Sequence, residues 1–119
     1  MIARARPAAA WPATFGETPV YVYCRQTAVH GAHFHGRAFA PTFGIGEDPA
    51  TGSAAAAFAG VIQRFDRPPG GGHRYDIEQG LEMGRPSRIV LELDIDGAAI
   101  DAVRIGGDAI VVAEGTLAV

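Results

Sequence analysis

The segment spanning residues 53–65 constrains the fold more than any other part of the sequence. It contains no helix-breaking residue except Gly60, and it follows a loop rich in proline, glycine, aspartate and threonine over residues 41–52. This pattern predicts a helix. No polar residue occurs between Ser53 and Gln63. Because a surface helix needs a polar face, this helix is predicted to be surrounded by protein in the middle of the fold.

Runs of β-branched, aromatic or alternating residues predict strands on both sides of this helix. Two strands are predicted before it and four after it, at about residues 19–24, 34–40, 73–79, 86–95, 100–105 and 109–113. Turn signals at Gly80, Asp96-Gly97 and Gly106-Gly107 separate the later strands. The C-terminal half is therefore predicted to be an antiparallel meander.

The length and charge of the chain exclude several classes of protein. A chain of 119 residues has room for one hydrophobic core. We expect residues 1–18 to be an irregular lead-in and residues 19–119 to form a single domain. The formal net charge is -3 and the arginines are scattered singly, so nucleic-acid binding is not expected. One cysteine allows no internal disulfide, and no segment approaches the ~20 apolar residues of a membrane span, so we expect a soluble cytoplasmic protein.

The start of the predicted helix has the composition of an anion site. Helix starts carry unpaired amide hydrogens and a partial positive charge. Gly52 has no side chain to keep a ligand away from the backbone, and Thr51, Ser53 and Ala54 surround it. A small carboxylate fits here better than a nucleotide, because the chain has no lysine and so lacks a P-loop.

Two carboxylates, Glu47 and Asp48, lie just before this helix start. A carboxylate there can orient a substrate ammonium or hydroxyl group, or relay a proton. Amide hydrogen bonds at a helix start favour the ionised form, which suits Asp48 to act as an orienting group or base. The alternative interpretation is structural: Asp48 stabilises the turn, and Thr51 or Ser53 caps the helix.

Three blocks of the sequence resemble the signatures of the PhzC/PhzF-like family. They are residues 37–54, which contain Gly-Ile-Gly-Glu-Asp-Pro-Ala-Thr-Gly-Ser, residues 78–87 and residues 104–115. The resemblance covers about residues 19–119. It implies an α+β fold like that of diaminopimelate epimerase, in which a curved antiparallel sheet or barrel wraps around one buried central helix.

The resemblance also implies a function. Family members isomerise or epimerise small carboxylic acids by proton transfer, with neither a metal nor another cofactor. Asp48 and Ser53 match polar active-site residues of the family's C-terminal domain. The amides of Gly52 to Ala54 match its carboxylate-binding helix start.

One part of the family pattern has no counterpart in this chain. The principal acid/base glutamate and a supporting histidine belong to an N-terminal domain that we expect to be absent. We therefore expect catalysis to need a partner that completes the cleft, either a second copy in a homodimer or a chain that carries the missing domain. The alternative is a non-catalytic remnant or small-carboxylate-binding module that dimerises.

The remaining candidates are polar residues near the motifs. Arg37, Gln79 and Arg85 are candidates to line the cleft, although a bridging turn accounts for the last two equally well.

Histidines 30, 33 and 35 have a spacing that can present two rings on one strand face to a metal. No thiol or carboxylate completes that set, so we expect surface or rim histidines and no metal. Cys24 is expected to pack inside a strand.

Overall fold

A computed structural model describes residue 16 and residues 18–118. Almost all of the lead-in predicted for residues 1–18 lies outside the described residues. The strands are β1 (Val20–Cys24), β2 (Phe34–Ala40), β3 (Ile45–Asp48), β4 (Gly71–Gln79), β5 (Ser87–Asp96) and β6 (Ala99–Gly107). The helix is α1 (Gly52–Phe65), and single 3-10 turns occupy Pro41–Phe43 and Leu81–Met83.

The six strands form one sheet in the order β1-β2-β4-β5-β6, with β3 beside the second half of β2. Strands β4, β5 and β6 are the antiparallel meander that the turn signals predict. Strands β2 and β4 run parallel. A parallel pair needs a crossover connection, and α1 supplies it. This arrangement confirms the predicted α+β class.

The core lies between α1 and one face of the sheet. The buried helix residues are Ala55, Phe58, Ala59 and Ile62, a spacing that places them on one side of the helix. The sheet contributes Phe34, Ile77, Ile89, Leu91, Leu93 and Ile95. The ring of Phe58 meets that of Phe34 edge-on, with 4.9 Å between ring centroids.

The opposite side of α1 is open. Ser53, Ala57 and Gly60 are exposed on that side. Within the described part of the chain, the prediction that protein surrounds the helix therefore holds for one face only. The helix is apolar on its exposed face too, so this face remains available for a covering surface.

The predicted strand at residues 109–113 is wrong. Residues 108–118 belong to no helix or strand, and Ile110, Val111 and Val112 are 84%, 79% and 86% exposed. A β-branched run becomes a strand only where another strand edge accepts its backbone hydrogen bonds. No strand among the described residues pairs with this run.

Candidate functional site

Asp48 and the start of α1 are brought together by a short loop. Asp48 is the last residue of β3 and pairs with Ala38 of β2, and α1 begins four residues later at Gly52. The Thr51 hydroxyl donates to Asp48 Oδ2 at 2.6 Å. Thr51, the residue before the helix, makes no side-chain hydrogen bond that caps it. The first amides of α1 therefore have no intrahelical acceptor and point toward the loop.

An apolar groove of about 630 Å³ opens beside this helix start. Asp48, Thr51 and Ser53 line its polar end. Tyr21, Tyr23, Ala57, Phe58 and Val61 are among the residues that line the rest. The groove thus places one carboxylate, two hydroxyl groups and the helix start at the edge of an apolar surface. This composition is typical of a small-molecule site.

Gln79 lies behind the site and not on its surface. It is the last residue of β4 and is 0% exposed. Its Nε2 atom donates to the Asp48 carbonyl oxygen at 2.7 Å and to Thr51 Oγ1 at 3.0 Å. The two residues are separated from Gln79 by 31 and 28 positions in the sequence. No local signal could therefore reveal these contacts.

Glu47 points away from the groove, toward Arg37. Gly36 and Ala38 alternate with Arg37 in β2, so Arg37 lies on the face of the sheet opposite α1. Arg37 is 7% exposed, and its guanidinium donates to both carboxylate oxygens of Glu47, at 2.8 Å and 2.9 Å. The hydrogen bond to Glu47 raises the pKa of Arg37. Glu47 is thereby occupied by a buried arginine, and Asp48 alone of the two carboxylates lines the groove.

His35 is buried, so the expectation of a surface or rim histidine is wrong for this residue. It is 4% exposed, and Nδ1 lies 2.7 Å from Glu78 Oε1 while Nε2 lies 2.8 Å from Glu82 Oε1. Both ring nitrogens face carboxylate oxygens, so each contact needs a proton between its two atoms. The residues are 43 and 47 positions apart in sequence, which is why the pattern of histidines alone did not predict the contacts.

The pKa of Glu78 reflects this environment. Burial acts to raise the pKa of the carboxyl group, but hydrogen bonds from the Ala28 and Val29 amides and from His35 outweigh it and lower the pKa. Both amide contacts measure 2.7 Å. The folded protein therefore favours the ionised form of Glu78.

The other candidates lie apart from the groove. Arg85 is exposed, and its backbone amide donates to the Gly80 carbonyl oxygen in a turn. His30 and His33 are also exposed. Residue 16 and residues 18–118 contain no group of three histidine, cysteine or acidic side chains placed to hold a metal ion. Cys24 is exposed, so the expectation that it packs inside its strand is wrong.

Comparisons with known proteins agree on one family. The sequence model of the family described as phenazine biosynthesis-like proteins matches residues 4–115. An uncharacterised isomerase of Mesorhizobium japonicum is 58% identical over 97 residues, which are 82% of this chain and 32% of that protein. A trans-2,3-dihydro-3-hydroxyanthranilate isomerase of Pseudomonas aeruginosa is 40% identical over 85 residues, which are 71% of this chain and 30% of that protein.

A solved structure shows the same fold. The crystal structure of the Bacillus anthracis phenazine biosynthesis protein of the PhzF family matches with a TM-score of 0.67 and 22% identity, over 81% of this chain and 33% of that one. The chain thus spans about a third of the length of the relatives it matches. Among the described residues, no helix is both long enough and apolar enough to cross a membrane.

Proposed function

This chain belongs to the phenazine biosynthesis-like (PhzC-PhzF) family, with its diaminopimelate-epimerase-like fold, and from that premise we propose that it forms one wall of an isomerase active site. The proposed reaction moves a proton on a small carboxylic acid and needs no cofactor. A partner completes the cleft, and we propose that this partner is a second copy of the chain. The similarity to proteins named as isomerases supports the reaction class.

The observation that carries the proposal is the pairing of the Asp48 carboxylate with an uncapped helix start at the polar end of the groove. The unpaired amides and the positive end of the helix suit the substrate carboxylate. Asp48 Oδ2 accepts the Thr51 hydroxyl proton, and Oδ1 has no hydrogen-bond partner among the described residues. Oδ1 is therefore the atom proposed to take or return the substrate proton.

Ser53 supplies a second hydroxyl group to the proposed site, beside that of Thr51. It is exposed in the first turn of α1 and lines the groove with Asp48. A hydroxyl group there can donate to a substrate oxygen as charge develops on it. Arg37 and Glu47 act on the other face of the sheet, where their ion pair holds β2 and β3 together.

The need for a partner rests on two features. Among the described residues the groove offers a single carboxylate, Asp48, whereas proton removal on one side of a carbon and return on the other requires a second group. The exposed apolar side of α1, with Ala57 and Gly60, is a surface that association would cover. A two-fold pair would bring two such half-sites to one interface.

Solvent exchange tests the proposed reaction. The chain is incubated in deuterium oxide with a panel of small amino and hydroxy acids, and loss of the proton signal at the carbon beside the carboxylate is followed by NMR. We expect exchange by the natural chain, none by Asp48→Asn, and normal exchange by Asp101→Asn, which makes the same change on an exposed strand position. Equal exchange by both variants, or none by the natural chain, contradicts the proposal.

The oligomeric state tests the proposed partner. Sedimentation velocity across a concentration series gives the fraction of dimer, and the exchange rate per chain is measured at the same concentrations. We expect the rate per chain to rise with the dimer fraction. A constant rate in a strictly monomeric sample contradicts the need for a second copy.

The second candidate function is binding of a small carboxylate without turnover. The observation that favours it is that Arg37 occupies both oxygens of Glu47, which leaves Asp48 as the carboxylate at the groove. Calorimetric titration with the same acids separates the two functions. Binding that persists in Asp48→Asn, together with no exchange in the natural chain, supports the module.

The proposal includes a cytoplasmic location. Cys24 is an exposed free thiol, and such a thiol persists in a reducing compartment. Fractionation of cells followed by immunodetection checks this location.

A further inference from the structure

We propose that Gln79 is a positioning residue, which holds the Asp48 carboxylate in a single orientation through the Thr51 hydroxyl. This inference rests on the proposed function, because it assigns Asp48 as the proton-transfer group. Gln79 is not among the residues that line the groove and is 0% exposed. It acts on Asp48 from behind, through two hydrogen bonds of its side-chain amide.

The direction of each hydrogen bond follows from the donors and acceptors present. The main-chain oxygen of Asp48 can only accept, so the atom of Gln79 that faces it at 2.7 Å must be the amide nitrogen. The second hydrogen of that nitrogen then points at Thr51 Oγ1, 3.0 Å away. Because the Thr51 oxygen accepts this hydrogen, its own proton is free to be donated, and it goes to Asp48 Oδ2 at 2.6 Å.

The result is a chain of donors that runs from Gln79 through Thr51 to Asp48. Rotation of the amide by half a turn would bring its oxygen against the Asp48 carbonyl and would reverse the Thr51 hydroxyl. The orientation of the Gln79 amide is therefore fixed by the main-chain oxygen of Asp48, because that oxygen can only accept a hydrogen bond. One carboxylate oxygen of Asp48 is thereby held, and Oδ1 is left for the substrate.

The orientation of the Gln79 amide carries an energetic cost, because it leaves a buried oxygen without a hydrogen bond within the described part of the chain. Gln79 Oε1 is buried and has no hydrogen-bond partner among the described residues. Leaving a buried acceptor unpaired is unfavourable, so a glutamine placed for packing alone would be replaced by an apolar side chain without loss. The two bonds made by Nε2 are the contacts that an apolar side chain would not reproduce.

The residue that follows Gln79 fixes the same loop from its other side. Gly80 has φ +80, and a Cβ atom there would lie 2.3 Å from the Arg85 carbonyl oxygen and 2.8 Å from that of Pro49. The backbone of the turn therefore packs directly against the residue after Asp48. Gln79 and Gly80 together hold the loop between Asp48 and α1.

Four variants test the inference in the full chain. Gln79→Glu keeps the shape and removes both donors, and its carboxylate would accept the Thr51 proton and turn it away from Asp48. Gln79→Leu removes the polar group altogether. Thr51→Val breaks the same chain of donors at a partly exposed residue, and Thr51→Ser preserves the hydroxyl group as a control.

Three-bond NMR couplings to the Asp48 carboxyl carbon measure its side-chain rotamer and do not depend on catalysis. We expect one rotamer in the natural chain and in Thr51→Ser, and averaged couplings in Gln79→Glu and Thr51→Val. In a double variant that combines Gln79→Glu with Thr51→Val we expect no further averaging, because both changes interrupt one chain of donors. Unfolding curves establish that each variant is folded. If the Gln79 variants do not fold, the couplings in Thr51→Val decide whether the chain of donors holds the Asp48 rotamer.

Kinetics supply the second measurement. We expect kcat for solvent exchange to fall about 10–100-fold in Gln79→Glu and Thr51→Val, with KM within about twofold, because the substrate carboxylate is held by the helix amides while the base is misplaced. A single Asp48 rotamer in Gln79→Glu and Thr51→Val, or an unchanged kcat, overturns the inference. If the natural chain exchanges nothing, the proposed reaction fails, and the couplings still decide whether Gln79 positions Asp48.

Discussion

Replacing Glu78 by glutamine keeps the shape of the side chain and removes its charge from a position that is 3% exposed. The carboxylate accepts hydrogen bonds from the Ala28 and Val29 amides at 2.7 Å each and meets His35 Nδ1 at the same distance. A glutamine has one acceptor oxygen and a nitrogen that donates. At least one of the two backbone amides would then face another donor.

The magnitude follows from the contacts that are lost. A donor left without an acceptor costs about 1–3 kcal/mol, and a hydrogen bond to a charged group contributes about 1.5–3 kcal/mol. Ala28 and Val29 are exposed residues whose amides can regain water, so we take the lower part of the sum of these two costs. We expect Glu78→Gln to lose about 3 kcal/mol of the free energy of unfolding at pH 7.

Urea unfolding followed by circular dichroism measures this loss. With a slope of roughly 1–3 kcal/mol per molar urea, the midpoint should fall by about 1–3 M. The matched control is Asp66→Asn, which breaks the ion pair with Arg25, whose side chain is 62% exposed. An exposed ion pair contributes about 0–1 kcal/mol, so the control should lose no more than about 1 kcal/mol of the free energy of unfolding.

The pH dependence provides the refutation. The pKa of Glu78 is lowered from 4.5 in the folded protein. The ionised carboxylate therefore stabilises the fold above about pH 4.5, and this stabilisation is lost as the pH falls through the folded pKa. The difference between the natural chain and Glu78→Gln should therefore shrink between pH 5 and the acid limit of folding. A loss below about 1 kcal/mol at pH 7, or a difference that does not change with pH, would refute the reasoning.

Three further changes have distinct expected outcomes. Gly80→Ala, whose new Cβ would lie 2.3 Å from a carbonyl oxygen, should lose at least about 2 kcal/mol more in thermal or urea unfolding than Gly84→Ala, which has a similar positive φ and open space. Tyr21→Phe should leave stability unchanged or raise it by up to about 1 kcal/mol, because the buried hydroxyl has no partner among the described residues. Burial raises the pKa of Tyr21 to about 12, so one tyrosine in the ultraviolet titration should ionise late, and it should be missing from the variant. Phe58→Ala should cost about 3–5 kcal/mol in urea unfolding, and a loss below about 1 kcal/mol would place Phe58 outside the core.

The sequence alone predicted the features that depend on neighbouring residues. A run with no helix breaker except Gly60, after a loop of glycine, proline and threonine, predicted a helix over residues 53–65, and the structure has it at Gly52–Phe65. Alternating residues and turn signals predicted the meander of β4, β5 and β6. The motif over residues 44–53 identified the loop that holds Asp48 and the helix start, because its residues lie within one short stretch of chain.

The tertiary structure decided the features that depend on residues far apart. Thr51 does not cap the helix but donates to Asp48, and Gln79 from the far end of β4 sets the direction of that bond. His35 lies between two glutamates more than 40 positions away, where its spacing from the other histidines carries no information.

The same reason explains why the strand predicted at residues 109–113 is wrong. Residues 109–113 have the composition of a strand, but a strand is stabilised by pairing with a neighbouring strand, and no described strand pairs with this run. Periodicity reports which faces a segment can bury. Periodicity does not report the partner of each face or of each hydrogen-bonding group. Those partners are determined only when the chain has folded and distant segments have come into contact.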